Sequence, residues 1–225
     1  MPFFDRLHAE TRQARDDFVS TPVIQEALQQ GVSREMYLDF LAEAYHHVRH
    51  TCRLLSSAVA HARDRDQRYI EALLEYIVEE RGHEAWILDD IAALGGDAEA
   101  VRNGAPGLPC RLMVAYVYYA IAQVSPYAML GMVHVLEGMS AALASAAAGR
   151  LKTTLGIADN AGFSYLSSHG ALDQEHVAFF RDLVNGIGDP AAETAIVETA
   201  KVVYRLYGDM FREIATRHRE AQHAA

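Results

Sequence analysis

The chain has 225 residues and a formal net charge of −10 at pH 7. Hydrophobic residues make up 51% of it and charged residues 22%, which is the balance of a globular protein rather than a disordered one. The excess of acidic residues argues against non-specific binding to nucleic acid or to anionic membranes, because both require clustered Lys and Arg.

The apolar residues recur at helical spacing along most of the chain, and no segment has the pattern of a strand. Ser33 is a plausible N-cap, and glycines or prolines follow several of the helical segments, as expected at helix ends. We therefore predict a single all-α domain over 1–225 with about eight helices. In chain order the predicted helices are 3–18, 22–30, 33–62, 66–94, 111–124, 126–148, 162–169, 173–185 and 191–217, with a loop at 97–109 that could contain one helical turn.

Localisation and membrane partners follow from three further features. The first six residues do not lead from a cationic segment into an apolar run, and no apolar stretch reaches the roughly 18 residues that span a bilayer. Cys52 and Cys110 have no CxxC partner, so we expect both thiols to stay reduced. These features predict a cytoplasmic protein with no membrane partner.

Two short motifs place acids and imidazoles on one helical face. Glu80 and His83 form an E-x-x-H pair, and His169, Asp173 and His176 form an H-x3-D-x2-H pattern. Residues three, four or seven apart lie on one side of a helix, and such pairs build the di-iron and di-manganese sites of helical bundles. The motifs therefore make these five residues candidate metal ligands.

Glu137 is the strongest anomaly in the chain, because it shares a face with Leu130, Val133 and Ala141 in a very apolar segment. A buried carboxylate costs several kcal/mol unless it is paired or bound to a metal. Glu137 thus joins the candidate ligands, and three carboxylates with three imidazoles suit iron or manganese. By the same reasoning Glu79, about 100° away from Glu80 on the helix, is predicted to be a solvated or interfacial neighbour.

Other interpretations of these residues remain open. Asp173 could be only an N-cap, His169 could cap a helix C-terminus, and Glu137 could pair with an arginine such as Arg53. In the first long helix, His47 follows the apolar stripe and Glu43 borders it. We take both as candidates for binding a small-molecule substrate, and His47 could instead serve as an auxiliary metal ligand. Tyr127 and Tyr204 are further candidates for the wall of the pocket.

Taken together, the segment 79–84 with Trp86, Asp89 and Asp90, then Glu137, then 169–176, resembles the heme-oxygenase-like di-iron oxidases and oxygenases. The resemblance extends over about 4–207 and implies a heme-oxygenase-like helical bundle, like that of heme oxygenase, TenA-type thiaminases and pyrroloquinoline-quinone synthase. It implies two iron ions, or manganese in their place, with O2 as co-substrate and a small amine, amino-acid or fatty-acid-like substrate. In this family the ions would be held by Glu80, His83, Glu137, His169, Asp173 and His176. Glu137 would be a bridging or terminal ligand, and a homodimer is compatible with the fold.

The other branches of the superfamily fit the chain less well. Heme-binding members carry a His four residues after a Thr in the first helix, whereas Thr11 is followed at that spacing by Arg15, so we expect no heme. Thiaminases have a Tyr four residues after a Cys, which neither Cys52 nor Cys110 has. Two alternatives to the di-iron enzyme are a metal-free enzyme of cofactor metabolism, of the TenA or quinone-synthase type, and a non-catalytic binding protein with the same fold.

Overall fold

The computed structural model describes the backbone of residues 1–224 and the side chains of 1–168 and 176–223. Within these residues all regular structure is helical, and the described helices comprise twelve α-helices and one 3-10 helix. The α-helices are α1 (Phe3–Glu10), α2 (Arg12–Val19), α3 (Pro22–Gln29), α4 (Arg34–Val48), α5 (Thr51–His61), α6 (Gln67–Glu80), α7 (His83–Ala93), α8 (Ala98–Asn103), α9 (Leu108–Gln123), α10 (Met129–Leu155), α11 (Ser164–Asn185) and α12 (Pro190–Ala224); the 3-10 helix is Pro126–Ala128.

The all-α class is confirmed, but the described helices outnumber those predicted because three predicted helices, 3–18, 33–62 and 66–94, are each broken in two. Ser33 does cap α4, since its hydroxyl accepts a hydrogen bond from the Met36 N–H. The predicted 33–62 helix instead ends at Val48. A turn of 3-10 type follows, in which the His50 N–H donates to the His47 carbonyl oxygen three residues back. The predicted loop at 97–109 contains the short helix α8.

In the C-terminal half, helices are longer than predicted. The predicted helices 162–169 and 173–185 are one continuous helix, α11. Helix α10 continues past Gly149 and ends at Leu155, where it is followed by Gly156 with a left-handed φ of 68°. A glycine inside a helix costs only about 1 kcal/mol relative to alanine, so packing along α10 overrides it.

The side chain of Asp90 fixes the start of α11. Asp90 lies on α7 and is only 2% exposed. Its carboxylate accepts hydrogen bonds from the Ser164 N–H at 2.9 Å, the Ser164 hydroxyl at 2.8 Å and the Tyr165 N–H at 2.8 Å. Asp90 thus supplies from a neighbouring helix the cap that the first N–H groups of α11 need.

Two apolar cores hold the bundle together. The larger joins α1, α2, α3, α5, α6, α9, α10, α11 and α12, and the smaller joins α4, α7, the C-terminal half of α10 and the start of α11. A small third cluster, made of Cys110, Met210 and Ile214, joins α9 to α12. The long helix α10 belongs to both the larger and the smaller core. It packs closely on α12 at Gly131, where an added Cβ atom would lie only 2.6 Å from the Ile196 carbonyl oxygen. Glu80 ends α6 in the larger core, His83 begins α7 in the smaller core, and Glu137 lies on α10, which belongs to both.

One segment of the described chain, 126–155, is long and apolar enough by length and composition to cross a membrane. Within its most apolar window, 56% of the residues are buried inside the bundle. The core helix of a soluble protein passes the same test, so the segment is weak evidence for a membrane span.

Candidate functional site

A cavity of about 60 Å³ lies among α4, α5, α6, α10 and α11, and we call it the polar cavity. Glu80 and Glu137, two of the predicted ligands, both line it. The polar residues on its wall are His47, Thr51, Tyr76, Glu80, Glu137, Ser140 and Tyr165. The structure therefore brings carboxylates from α6 and α10 to one place, as the metal-site prediction requires.

The first predicted motif forms a direct contact, but not along one helix. The Nδ1 atom of His83 lies 3.2 Å from Oε2 of Glu80, and the two side chains are only 5% and 11% exposed. Contrary to the prediction of one helix over 66–94, α6 ends at Glu80 and α7 begins at His83, with Gly82 between them at φ 98°. Glycine is the residue that adopts this left-handed backbone at little cost, so it permits the break. The imidazole of His83 also stacks on Trp86, with ring centroids 4.3 Å apart.

Tyr76 contacts Glu137 from the helix that carries Glu80, and it was missed in the sequence analysis. Its hydroxyl donates a long hydrogen bond of 3.5 Å to Oε2 of Glu137. Burial raises the pKa of Tyr76, and the negative charges of Glu137, Glu79 and Glu80 raise it further. Its phenol therefore stays protonated and can act as a donor. The available signal was its position, four residues before Glu80 on the same helical face.

His176, from the second motif, contacts α6 through Glu79. Its Nε2 atom lies 3.2 Å from Oε2 of Glu79, and the two side chains are 14% and 39% exposed. Glu79 is partly solvated, in line with the prediction, yet it also holds a predicted ligand in place. His169 and Asp173 lie outside the residues whose side chains the structure describes.

Of the four residues predicted to bind substrate, His47 is the one that lines the polar cavity, where it is 1% exposed. The carboxylate of Glu43 instead accepts hydrogen bonds from the Gly107 N–H, at 3.0 and 3.1 Å, and lies 3.6 Å from Arg217. Glu43 therefore anchors the start of α9. Burial raises its pKa, and the hydrogen bond from Gly107 and the charge of Arg217 oppose that shift.

The two predicted tyrosines contact other parts of the bundle. The ring of Tyr127 stacks on Tyr69 with centroids 4.1 Å apart, and burial is the main reason that its pKa rises to about 12. Tyr204 is 1% exposed in the larger core, where it contacts Phe18 and His134, and burial likewise raises its pKa to about 12. Neither residue is on the described wall of the polar cavity.

The described donors form pairs rather than a completed metal site. Among the side chains that the structure describes, no three His, Cys, Asp or Glu residues group closely enough to hold an ion. The pairs are Glu80 with His83 and Glu79 with His176, and Glu137 is joined to this region through Tyr76. In donor type they still fit iron or manganese, because carboxylate oxygen and imidazole nitrogen suit these metals and no thiolate is among them.

The family comparison covers most of this architecture. Residues 38–208, which include most of α4, all of α5 to α11 and every predicted ligand, match the family of iron-containing redox enzymes. The chain belongs to this family. A comparison with curated proteins gave no match.

Solved structures confirm the fold of this family member. A domain of unknown function with a heme oxygenase-like fold from Shewanella denitrificans aligns with a TM-score of 0.88 at 20% identity, covering 99% of this chain and 96% of that one. A TenA homologue from Pseudomonas syringae aligns with a TM-score of 0.81 at 12% identity, covering 96% and 93%. Heme oxygenase-2 from Synechocystis, solved with heme and NO, aligns with a TM-score of 0.78 at 16% identity, covering 98% and 88%. At these identities the likeness establishes the heme-oxygenase-like fold alone.

Proposed function

We propose that this protein is a non-heme iron oxidoreductase that uses O2 to oxidise a small amine, amino-acid or fatty-acid-like substrate. The observation that carries the proposal is the buried contact of 3.2 Å between Glu80 and His83, beside a cavity that Glu80 shares with Glu137. An acid and an imidazole in contact inside a bundle are unusual unless they serve chemistry or a metal, since burying their charges is costly. Membership of the iron-containing family supports iron as the partner.

In this proposal Glu80, His83, Glu137 and His176 would hold two iron ions together with His169 and Asp173. Bound ferrous iron would supply the electrons and the binding site for O2. The protein's own residues hold these ligands in position: the Tyr76 hydroxyl donates to Glu137, and Glu79 contacts Nε2 of His176. Groups around the ligands fix their orientation and tune the metal that they bind.

A second candidate is a metal-free enzyme of cofactor metabolism with this fold, which the TenA homologue shares. The observation that favours it is the contact of Glu80 with His83, since a carboxylate 3.2 Å from an imidazole can work as an acid–base pair. A substrate bound between Glu80 and Glu137 in protein that takes up no iron would establish this second candidate.

Iron content distinguishes the two candidates. We expect wild-type protein loaded with ferrous iron under anaerobic conditions, then desalted, to retain about two irons per chain. Glu80→Ala and His176→Ala should lose most of that iron. The matched control is Glu75→Ala, which removes an exposed carboxylate from the same helix as Glu80 and should keep the wild-type content. Folded wild-type protein with no iron, or equal iron in all four proteins, would contradict the proposal.

A further inference from the structure

A second cavity, of about 140 Å³, lies between α2, α3, α4, α10, α11 and α12, and we call it the apolar chamber. The residues described on its wall include no charged side chain and no imidazole. Its wall is formed chiefly by aliphatic and aromatic side chains such as Phe18, Met36, Phe40, Leu143 and Phe211. A chamber lined in this way has no charged group to hold an ionised part of a molecule, but it can hold a hydrocarbon.

The apolar chamber and the polar cavity share a wall. Leu136, Ser140 and Tyr165 line both of them. Glu137 is the neighbour of Leu136 on α10, and it lies about one helical turn before Ser140. A molecule with its polar end at Glu137 could therefore place an attached apolar group in the chamber within a few ångströms.

From this juxtaposition we infer that the apolar chamber binds the hydrocarbon part of the substrate, a chain or ring of about six carbons whose polar end faces Glu80 and Glu137. An apolar cavity of about 150 Å³ in another protein stays dry and binds benzene, so a chamber of 140 Å³ has the size for such a group. A small polar amino acid would leave the chamber unused. The part of the inference that concerns the reacting end rests on the proposed function.

Chain-length dependence of binding tests the chamber without iron. The test titrates metal-free protein with straight-chain alcohols from butanol to decanol. The dissociation constant of each alcohol is measured by calorimetry or by NMR. Each methylene that enters the chamber should tighten binding about fourfold, which corresponds to about 0.8 kcal/mol per buried CH₂. The gain should stop once the chamber is full, after about six carbons. Affinities that do not change with chain length would overturn the inference.

A matched pair of variants on α10 locates the binding site. Ala144 lines the chamber and is 5% exposed, so Ala144→Phe should fill the space and weaken octanol binding at least tenfold. Ala142 is exposed on the same helix, and Ala142→Phe should bind octanol as the wild type does. If Ala144→Phe does not fold, Ala147→Phe fills the same chamber from a less buried position. Wild-type affinity in the folded chamber variant would refute the assignment.

Failure of this inference and failure of the proposed function give different results. Chain-length-dependent binding in protein that never takes up iron would support the chamber and contradict the iron enzyme. The opposite result is iron uptake together with an alcohol affinity that changes neither with chain length nor with Ala144→Phe. It would support the iron enzyme and overturn the role of the chamber.

Discussion

Removal of the Asp90 carboxylate should destabilise the protein strongly, because this buried group caps α11 from another helix. Its three hydrogen bonds reach Ser164 and Tyr165, at 2.8 to 2.9 Å. A hydrogen bond to a charged group contributes about 1.5–3 kcal/mol, and these three are not independent because two go to one residue. We therefore expect Asp90→Ala to lower the free energy of unfolding by about 4 kcal/mol, or the melting temperature by about 10 °C.

Urea denaturation of two capping variants checks this magnitude. Asp97 is the matched control, since it caps α8 through one hydrogen bond to the Ala100 N–H and is exposed. Asp97→Ala should cost only about 1 kcal/mol. Asp90→Asn, which retains one acceptor oxygen, should fall between the two. A loss for Asp90→Ala no larger than that for Asp97→Ala would refute the reasoning that this carboxylate holds α11 in place.

Three further predictions follow from the site and the core. Burial, aided by His8 and Arg15, lowers the pKa of His134 to about 3, so the unfolded chain binds a proton near pH 6.5 that the folded chain does not. The free energy of unfolding, measured with urea, should therefore fall by about 2 kcal/mol from pH 7 to pH 5 in the wild type and by much less in His134→Phe. The same loss in both proteins would contradict this prediction. Burial raises the pKa of the Cys110 thiol, so a thiol reagent at pH 8 should label Cys110 in urea but not in the folded protein. Labelling of Cys110 in the folded protein would contradict its buried position. Glu79→Gln should weaken iron binding about tenfold through His176 with little change in the urea midpoint, and unchanged iron affinity would exclude that role.

The helical class and the inward position of the acids could be predicted because both depend on local spacing. Apolar residues at helical intervals set which face of each helix is buried, and the predicted Ser33 cap depends on residues only three positions apart. The breaks at His50 and Gly82 could not be predicted in the same way, since the apolar pattern continues through both. Glu80 and His83 thus meet as their spacing suggested, but across a turn between two helices.

Residues whose contacts depend on distant partners were the ones that sequence reasoning could not place. Glu43 has the buried position of a site residue, yet its partner Gly107 lies 64 residues away and holds it at the start of α9. Tyr76 has the spacing of a core aromatic, and only the position of α10 brings Glu137 to its hydroxyl. Local periodicity carries no information about these long-range pairings.

Location of the iron itself tests the central claim most directly. Crystals of protein loaded with ferrous iron, measured on both sides of the iron absorption edge, reveal iron atoms by their anomalous scattering. We predict iron peaks at ligand distance from Glu80, His83, Glu137 and His176. Iron found only elsewhere in the molecule, or no iron peak in loaded crystals of folded protein, would contradict the account.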